Sequence, residues 1–311
     1  MNRTAGRREP LQWRPGAALD NPPTRATLHS RAHSIELNWL RNWRRKRILR
    51  STHVDDTLWR RVEATLPFLH ALDADERHRL RELAVVFLHE KEMHGAAGLQ
   101  LTDGIRLSIA LQACYPVLNL GLDAYTGWVG IIVYPAGFIV DRKQMDAAGV
   151  VHEWRDELAG ETSADGPVVL SWQDIAESEA GCNVVIHEFA HKLDMLHKHD
   201  ADGFPWPHAN MDARLWFDTL EAAYARFVRA VERGEEKSSD GEAFRPVDNQ
   251  GHPLPFDAYA AEDPAEFFAV MSEVFFVTPT ALQAHFGRLY EQFCLFYKQD
   301  TGARMHRNVA A

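Results

Sequence analysis

The chain has 311 residues, of which 46% are hydrophobic and 25% charged, as is typical of a folded protein with a substantial core. Its net charge of −10 argues against general nucleic-acid binding, which needs a broad basic surface. The sequence contains no stretch of about 18 apolar residues, so we expect no membrane span. The start, MNRTAGRREPLQWRPG, has no signal-peptide core. We therefore expect a cytoplasmic protein.

The first part of the chain divides into two segments of different composition. Residues 1–33 are rich in Arg, Pro and small polar residues and lack apolar periodicity, which predicts a disordered tail. The segment IELNWLRNWRRKRILR, residues 35–50, is aromatic and strongly basic. A helix that binds a membrane surface or a partner is one interpretation. The favoured one is an amphipathic helix with Trp39 and Trp43 packed inward and its arginines solvated.

The remaining sequence alternates helical periodicity with a few strand-like runs. Helices are predicted over 55–94, 102–114, the segment HEFAHKLDML, 212–232, 263–276 and 279–298. Lys192 to Leu196 is expected to continue the helix of that segment. Strands are predicted around 128–140 and in VVHEWRDELAG and GPVVLSW. The pattern indicates an α+β fold, mostly helical with a small mixed sheet.

The stretch VVIHEFAHKLDMLHKHD, residues 184–200, contains the clearest chemical signal. A spacing of four puts His187 and His191 on one helix face, where both imidazoles can bind one cation. Glu188 is rotated by about 100° from His187, so it can reach a water on that cation rather than bind it directly. Zinc suits imidazole ligands, and a catalytic zinc typically has three protein ligands and one position for water. The pattern predicts one zinc per chain, with Glu188 as the general base.

The third ligand has two candidates. His197 follows His191 by six residues, as in HExxHxxGxxH sites, but Asp194 occupies the position where those sites have the glycine that turns the chain. The stronger candidate is Glu266 in AYAAEDPAEFFAVMSEVFF, because a carboxylate among apolar residues at the start of a helix needs a partner of opposite charge. Glu273 and Asp194 could each hold a ligand histidine by its other nitrogen, or could be ordinary solvated or ion-paired acids.

Several separate segments resemble the Mlc titration factor A family of cytoplasmic bacterial zinc peptidases, whose catalytic core is similar to that of anthrax lethal factor. They include WLRNWRRKRIL, EKEMHGAAGLQLTD, PAGFIV, GPVVLSWQDI, HEFAHKLDM and PAEFFAVMSEVFF. The resemblance implies a zincin-like core with His187, His191 and Glu266 as zinc ligands, Glu188 as the general base and Tyr259 as an oxyanion donor. It also implies that GPVVLSW borders the cleft, where an extended peptide substrate could add as a strand.

The resemblance further implies the organisation and activity of the chain. Residues 34–311 would form a single metallopeptidase domain, with a helical part at 34–115 and the catalytic core at 116–311. Members of the family show aminopeptidase activity and bind the transcriptional repressor Mlc, which regulates sugar-transport genes. Because the chain lacks a GxMEN-type amine-binding segment, the means of recognising an amine stays open. The alternatives are a binding protein that sequesters a repressor, with incidental hydrolysis, and a purely structural zinc, against which the missing fourth ligand argues.

Overall fold

The computed structural model describes residues 39–145, 151–158, 160–177, 181–237 and 245–309. Its first half contains helices at 39–51 (α1), Asp56–Ala64 (α2), Ala74–Glu90 (α3) and Asp103–Cys114 (α4), followed by Trp172–Ala176 (α5). The later helices are Val184–Asp194 (α6), Ala213–Lys237 (α7), Pro264–Val277 (α8), Pro279–His285 (α9), Gly287–Tyr297 (α10) and Thr301–Val309 (α11). The strands are Glu92–Gly95 (β1), Gly130–Tyr134 (β2), Phe138–Met145 (β3), Val151–Leu158 (β4), Gly160–Thr162 (β5) and Val168–Ser171 (β6).

A small mixed sheet borders the helices. Its strand order is β1-β2-β6-β5, with β1, β2 and β6 parallel and β5 antiparallel to β6. Strands β3 and β4 form a separate antiparallel pair. The order places β5 at the edge of the sheet and β6 in its interior. The expectation that a peptide could add as a strand at GPVVLSW is therefore wrong, because both sides of Val168–Ser171 already pair with neighbouring strands.

The helices begin where side chains can satisfy the unpaired amides of a first turn. Asp73 and Glu76 form a reciprocal capping box at the start of α3, and Thr102 caps α4. Asp263 accepts hydrogen bonds from two amides of α8, whose first residue is Pro264. These local signals explain why the starts of α4 and α8 could be predicted from the sequence.

The core is dominated by aromatic side chains from α8 and α10. Phe275, Phe276, Phe293 and Tyr297 are buried and meet mostly edge to face. Helix α8 is buried along most of its length, and α6 packs directly against it. Burial of these two apolar helices against each other fixes the relative positions of the side chains that they share with the site.

The α+β prediction is confirmed, but several element boundaries differ. Residues 92–95 form β1 rather than the end of a helix, because they pair with β2. Helix α6 continues through Lys192 as predicted but ends at Asp194, so Met195 and Leu196 do not belong to it. The predicted helix over 279–298 is divided at Phe286, and α11 was not predicted. In each case a long-range contact or a local turn overrides a continuous apolar pattern.

The prediction that Trp39 and Trp43 pack inward is also wrong, because their side chains are 64% and 53% exposed. The predicted tail, residues 1–33, lies outside the described residues, and the single-domain boundary at 34 stays a prediction. Residues 48–311 form one compact unit.

Among the residues described, no one helix has the length and apolarity to cross a membrane. Only α8 and α9 meet those criteria jointly, and they are bent by 119° at their junction.

Candidate metal centre

Helix α6 presents the two motif histidines side by side. Asn183 caps the helix by accepting a hydrogen bond from the Ile186 amide, and no glycine or proline interrupts the following turns. The Nε2 atoms of His187 and His191 lie 3.2 Å apart. The helix therefore brings both nitrogens close enough to share one ligand, as the spacing of four predicted.

Helix α8 supplies the carboxylate that faces them. Glu266 lies in the first turn of α8, and its carboxylate oxygens are 2.9 Å from Nε2 of His187 and 3.5 Å from Nε2 of His191. Burial would raise the pKa of Glu266, but hydrogen bonds with the two histidines hold that pKa well below its usual value. The carboxylate is thus ionised and directed at the histidine pair.

The spacing of these atoms fits a zinc ion. One ligand atom from each of His187, His191 and Glu266 lies within 4.8 Å of the other two. Tetrahedral ligands about 2.1 Å from zinc are about 3.4 Å from each other. The two Nε2 atoms are 3.2 Å apart, Oε2 of Glu266 is 2.9 Å from His187, and Oε1 of Glu266 is 3.5 Å from His191, all close to that value. The three residues therefore suit a single bound cation.

Glu273 orients one of the histidines. Its Oε1 atom lies 2.7 Å from Nδ1 of His187, and its other oxygen accepts a hydrogen bond from the backbone amide of Asn183. Burial would lower the pKa of His187, but Glu266 and Glu273 raise it well above its usual value. The raised pKa favours the protonated form of His187, and a metal that binds at Nε2 would displace a proton from that atom. The structure therefore supports the interpretation in which Glu273 holds a candidate ligand histidine by its other nitrogen, rather than the one in which it is an ordinary solvated or ion-paired acid.

Glu188 lies beside this cluster in a confined position. Its side chain is only 5% exposed, and burial raises its pKa. Its Oε2 atom is buried and has no hydrogen-bond partner among the described residues. Gly160 of β5 packs against this carboxylate, so that a Cβ atom there would lie 2.6 Å from both Cγ and Cδ of Glu188. A buried carboxylate with one oxygen free of hydrogen bonds, next to a metal-binding geometry, is the expected arrangement for a general base.

Tyr259 lies near His187, in the short 3₁₀ turn Ala258–Ala261 that packs against α8. Its ring centroid is 6.3 Å from that of His187, and its side chain is 45% exposed. Partial burial and the nearby Glu266 raise the pKa of the Tyr259 phenol. The phenol stays protonated at neutral pH and can donate a hydrogen bond at the mouth of the site.

Two other candidates lie outside the cluster. His197 is exposed, has a φ of 75°, and does not belong to the metal-binding group found within the described part of the chain. The Asp194 carboxylate does not support His191: it bonds Lys198 and the amide of Gly203. Gly203 has a φ of 80° and touches the backbone of Pro264, where a side chain would not fit. Asp194 therefore fastens the following loop next to α8.

Lys192 is a structural residue that the sequence did not identify. Its buried ammonium donates hydrogen bonds to the carbonyls of Ser163, Ala164 and Gly166 in the turn between β5 and β6. Burial lowers the pKa of Lys192 to about 8. The residue next to a candidate ligand thus fixes the turn that holds β5 against Glu188. A lysine within a largely apolar helix was the available signal.

The chain was then compared with known proteins. The sequence profile of the family described as glucose-regulated metallo-peptidase M90 matches residues 40–298. Mlc titration factor A of Klebsiella pneumoniae subsp. pneumoniae is 37% identical over 245 residues, which cover 78% of this chain and 86% of that protein. The protein of the same name from Escherichia coli O9:H4 is 36% identical over 263 residues, covering 84% and 93%. With the metal-binding geometry in place, these matches show that the chain belongs to the glucose-regulated metallo-peptidase M90 family.

Proposed function

We propose that this chain is a zinc-dependent peptidase of the gluzincin type, in which His187, His191 and Glu266 hold the metal. The observation that carries the proposal is that ligand atoms of these three side chains, from two helices, lie close together beside the buried carboxylate of Glu188. When bound, zinc would lower the pKa of a coordinated water to about 7 and polarise the carbonyl of the substrate.

The side chains around this point have distinct roles in the proposal. Glu188 accepts the proton of the attacking water and then passes it to the leaving amine; its raised pKa suits both steps. Tyr259 donates its phenol proton in a hydrogen bond to the oxyanion of the tetrahedral intermediate. Glu273 holds His187 by Nδ1, which leaves Nε2 directed at the centre.

The general base is tested with Glu188→Gln, which preserves the shape of the side chain and removes its basicity. We expect hydrolysis of short peptides to fall by about 100- to 10,000-fold, with unchanged zinc content and unfolding temperature. Glu221→Gln, the same change on the exposed face of α7, is the matched control and should keep full activity. Undiminished cleavage by zinc-loaded Glu188→Gln would reject this role of Glu188.

The ligand set is tested by metal analysis. Glu266→Ala should lose most of its zinc, whereas His197→Ala should retain one zinc per chain. Removal of the metal with a chelator should stop hydrolysis, and added zinc should restore it. Full zinc occupancy in Glu266→Ala would contradict the proposed coordination.

We also propose aminopeptidase specificity, which rests on the resemblance to the Mlc titration factor A family. The test compares a peptide with a free N-terminus and the same peptide acetylated at that end. The free peptide should be cleaved and the acetylated one should be resistant. Equal cleavage of both would indicate an endopeptidase.

A second proposed role is binding of an Mlc-like transcriptional repressor in the cytoplasm. It is supported by the name of the relatives, Mlc titration factor A, and would accompany the enzyme activity rather than replace it. Pull-down of such a repressor with Glu188→Gln distinguishes the two roles, because binding that persists without hydrolysis shows a separate docking function. Failure of both active and inactive protein to retain the repressor would contradict this role.

A further inference from the structure

Helix α1 presents an unusual surface for a chain of this charge. Residues 39–51, WLRNWRRKRILRS, contain six of the 34 basic residues and no acidic residue. Without this segment the net charge of −10 would be −16. Positive charge is therefore concentrated on this helix, and none of its residues belongs to the candidate metal centre.

The exposed side of α1 is both aromatic and basic. Trp39, Leu40 and Trp43 fall within about 100° of the helix circumference and are exposed by 64%, 52% and 53%. The exposed basic side chains on the same side, within roughly 160° in all, are Arg44, Lys46, Arg47 and Arg50. The guanidinium of Arg47 lies 5.9 Å from the ring centroid of Trp43.

The distribution along the helix indicates what this surface contacts. A helix that docks in a protein groove presents apolar residues along its whole length at spacings of three and four. Here the exposed apolar residues stop at Trp43, and positions 46, 47 and 50 on the same side are basic. A nucleic-acid backbone would use the cations but would not need two exposed tryptophans and a leucine. An anionic membrane surface would engage both kinds of residue. Tryptophan side chains lie at the boundary of the acyl chains, and arginine and lysine lie among the anionic headgroups.

We propose that α1 is a peripheral anchor for an anionic lipid surface, with Trp39, Leu40 and Trp43 inserted at the headgroup boundary. The last residues of the same helix belong to the compact unit of residues 48–311, in which Ile48 and Leu49 pack against the hydrophobic core. The peptidase would thereby be held reversibly at a membrane without spanning it. Salt should weaken the association, because the cations act through screened electrostatic attraction.

The test uses the full chain and vesicle flotation at low salt. The chain should float with vesicles of phosphatidylcholine mixed with phosphatidylglycerol and not with vesicles of phosphatidylcholine alone. Arg44→Gln with Arg50→Gln should weaken binding about 25-fold, at about fivefold for each cation. The matched control, Arg61→Gln with Arg79→Gln, changes the net charge equally on α2 and α3 and should bind as wild type. Equal weakening by both pairs would overturn a role for α1.

The aromatic contribution is tested separately. Trp39→Ala with Trp43→Ala should weaken flotation by about tenfold or more, whereas Trp206→Ala, at another tryptophan that is 65% exposed, should not. Because the tryptophans are exposed, unchanged unfolding temperature and peptidase activity are expected for all variants. Retention on heparin without flotation on anionic vesicles would assign the surface to a soluble polyanion, and capture by a protein without flotation would assign it to a protein partner. Either result would overturn the lipid anchor.

Discussion

Replacement of Gly160 by alanine is expected to lower kcat about 100-fold while the zinc content and the fold stay unchanged. A Cβ atom at this position would lie 2.6 Å from Cγ and Cδ of Glu188, whereas carbon atoms in contact are about 3.5 Å apart. The Glu188 side chain must therefore move by about 1 Å. A displacement of this size at a catalytic group can reduce the rate about 100-fold.

The assay measures kcat and KM for a short peptide together with bound zinc and the unfolding temperature. Gly287→Ala is the matched control, because a Cβ atom there meets nothing within 4 Å.

Wild-type kcat in a zinc-loaded Gly160→Ala protein would refute the reasoning, since it would show that β5 does not confine the general base. Loss of zinc together with activity would also contradict it, because the contact would then act on the ligand histidines. Only a fall in kcat with retained zinc agrees with the packing of β5 against Glu188.

The remaining predictions concern the surroundings of the centre. Glu273→Gln should weaken zinc binding about 10- to 100-fold, measured by competition with a chelator, because it removes the charge that holds His187. Tyr259→Phe should lower kcat by about 100-fold with little change in KM, since the phenol is proposed to act on the oxyanion; an unchanged kcat would make it a packing residue. Zinc binding at pH 7 should release about one proton, because the pKa of His187 is raised without metal, and calorimetry in buffers of different ionisation enthalpy measures it. Lys192→Met should lower the free energy of unfolding by about 2 kcal/mol, as residues 163–166 lose a charged donor, and unchanged stability in urea would contradict its structural role.

The sequence predicted half of the site directly, because that half is local. A spacing of four on one helix determines that His187 and His191 are neighbours, whatever the rest of the fold does. Glu266 was predicted as the third ligand from its place at an apolar helix start and from the family resemblance, and not from any short spacing to the histidines. The pairing depends on the packing of α6 against α8, across 79 residues of chain. Periodicity shows that a helix face is buried and does not show which surface covers it.

The other differences have the same origin. Residues 92–95 are a strand because β2 offers a parallel partner, and the edge position of β5 follows from the order of pairing. No pattern within either segment contains that information. The packing of Gly160 against Glu188 likewise becomes visible only when β5 lies beside α6. Trp39 and Trp43 were expected inside because the segment has the composition of an amphipathic helix, yet both side chains are largely exposed.

The sequence by itself determined the family and the α+β class, and it placed the candidate ligands His187 and His191 beside the candidate base Glu188, since these features depend on residue types at short spacings. Tertiary structure alone decided that Glu273 rather than Asp194 supports a ligand histidine, which strand lies at the sheet edge, and that α1 leaves its aromatic side uncovered. Those features arise from contacts between distant segments, whose free energies depend on the whole packed arrangement and on no single stretch of chain.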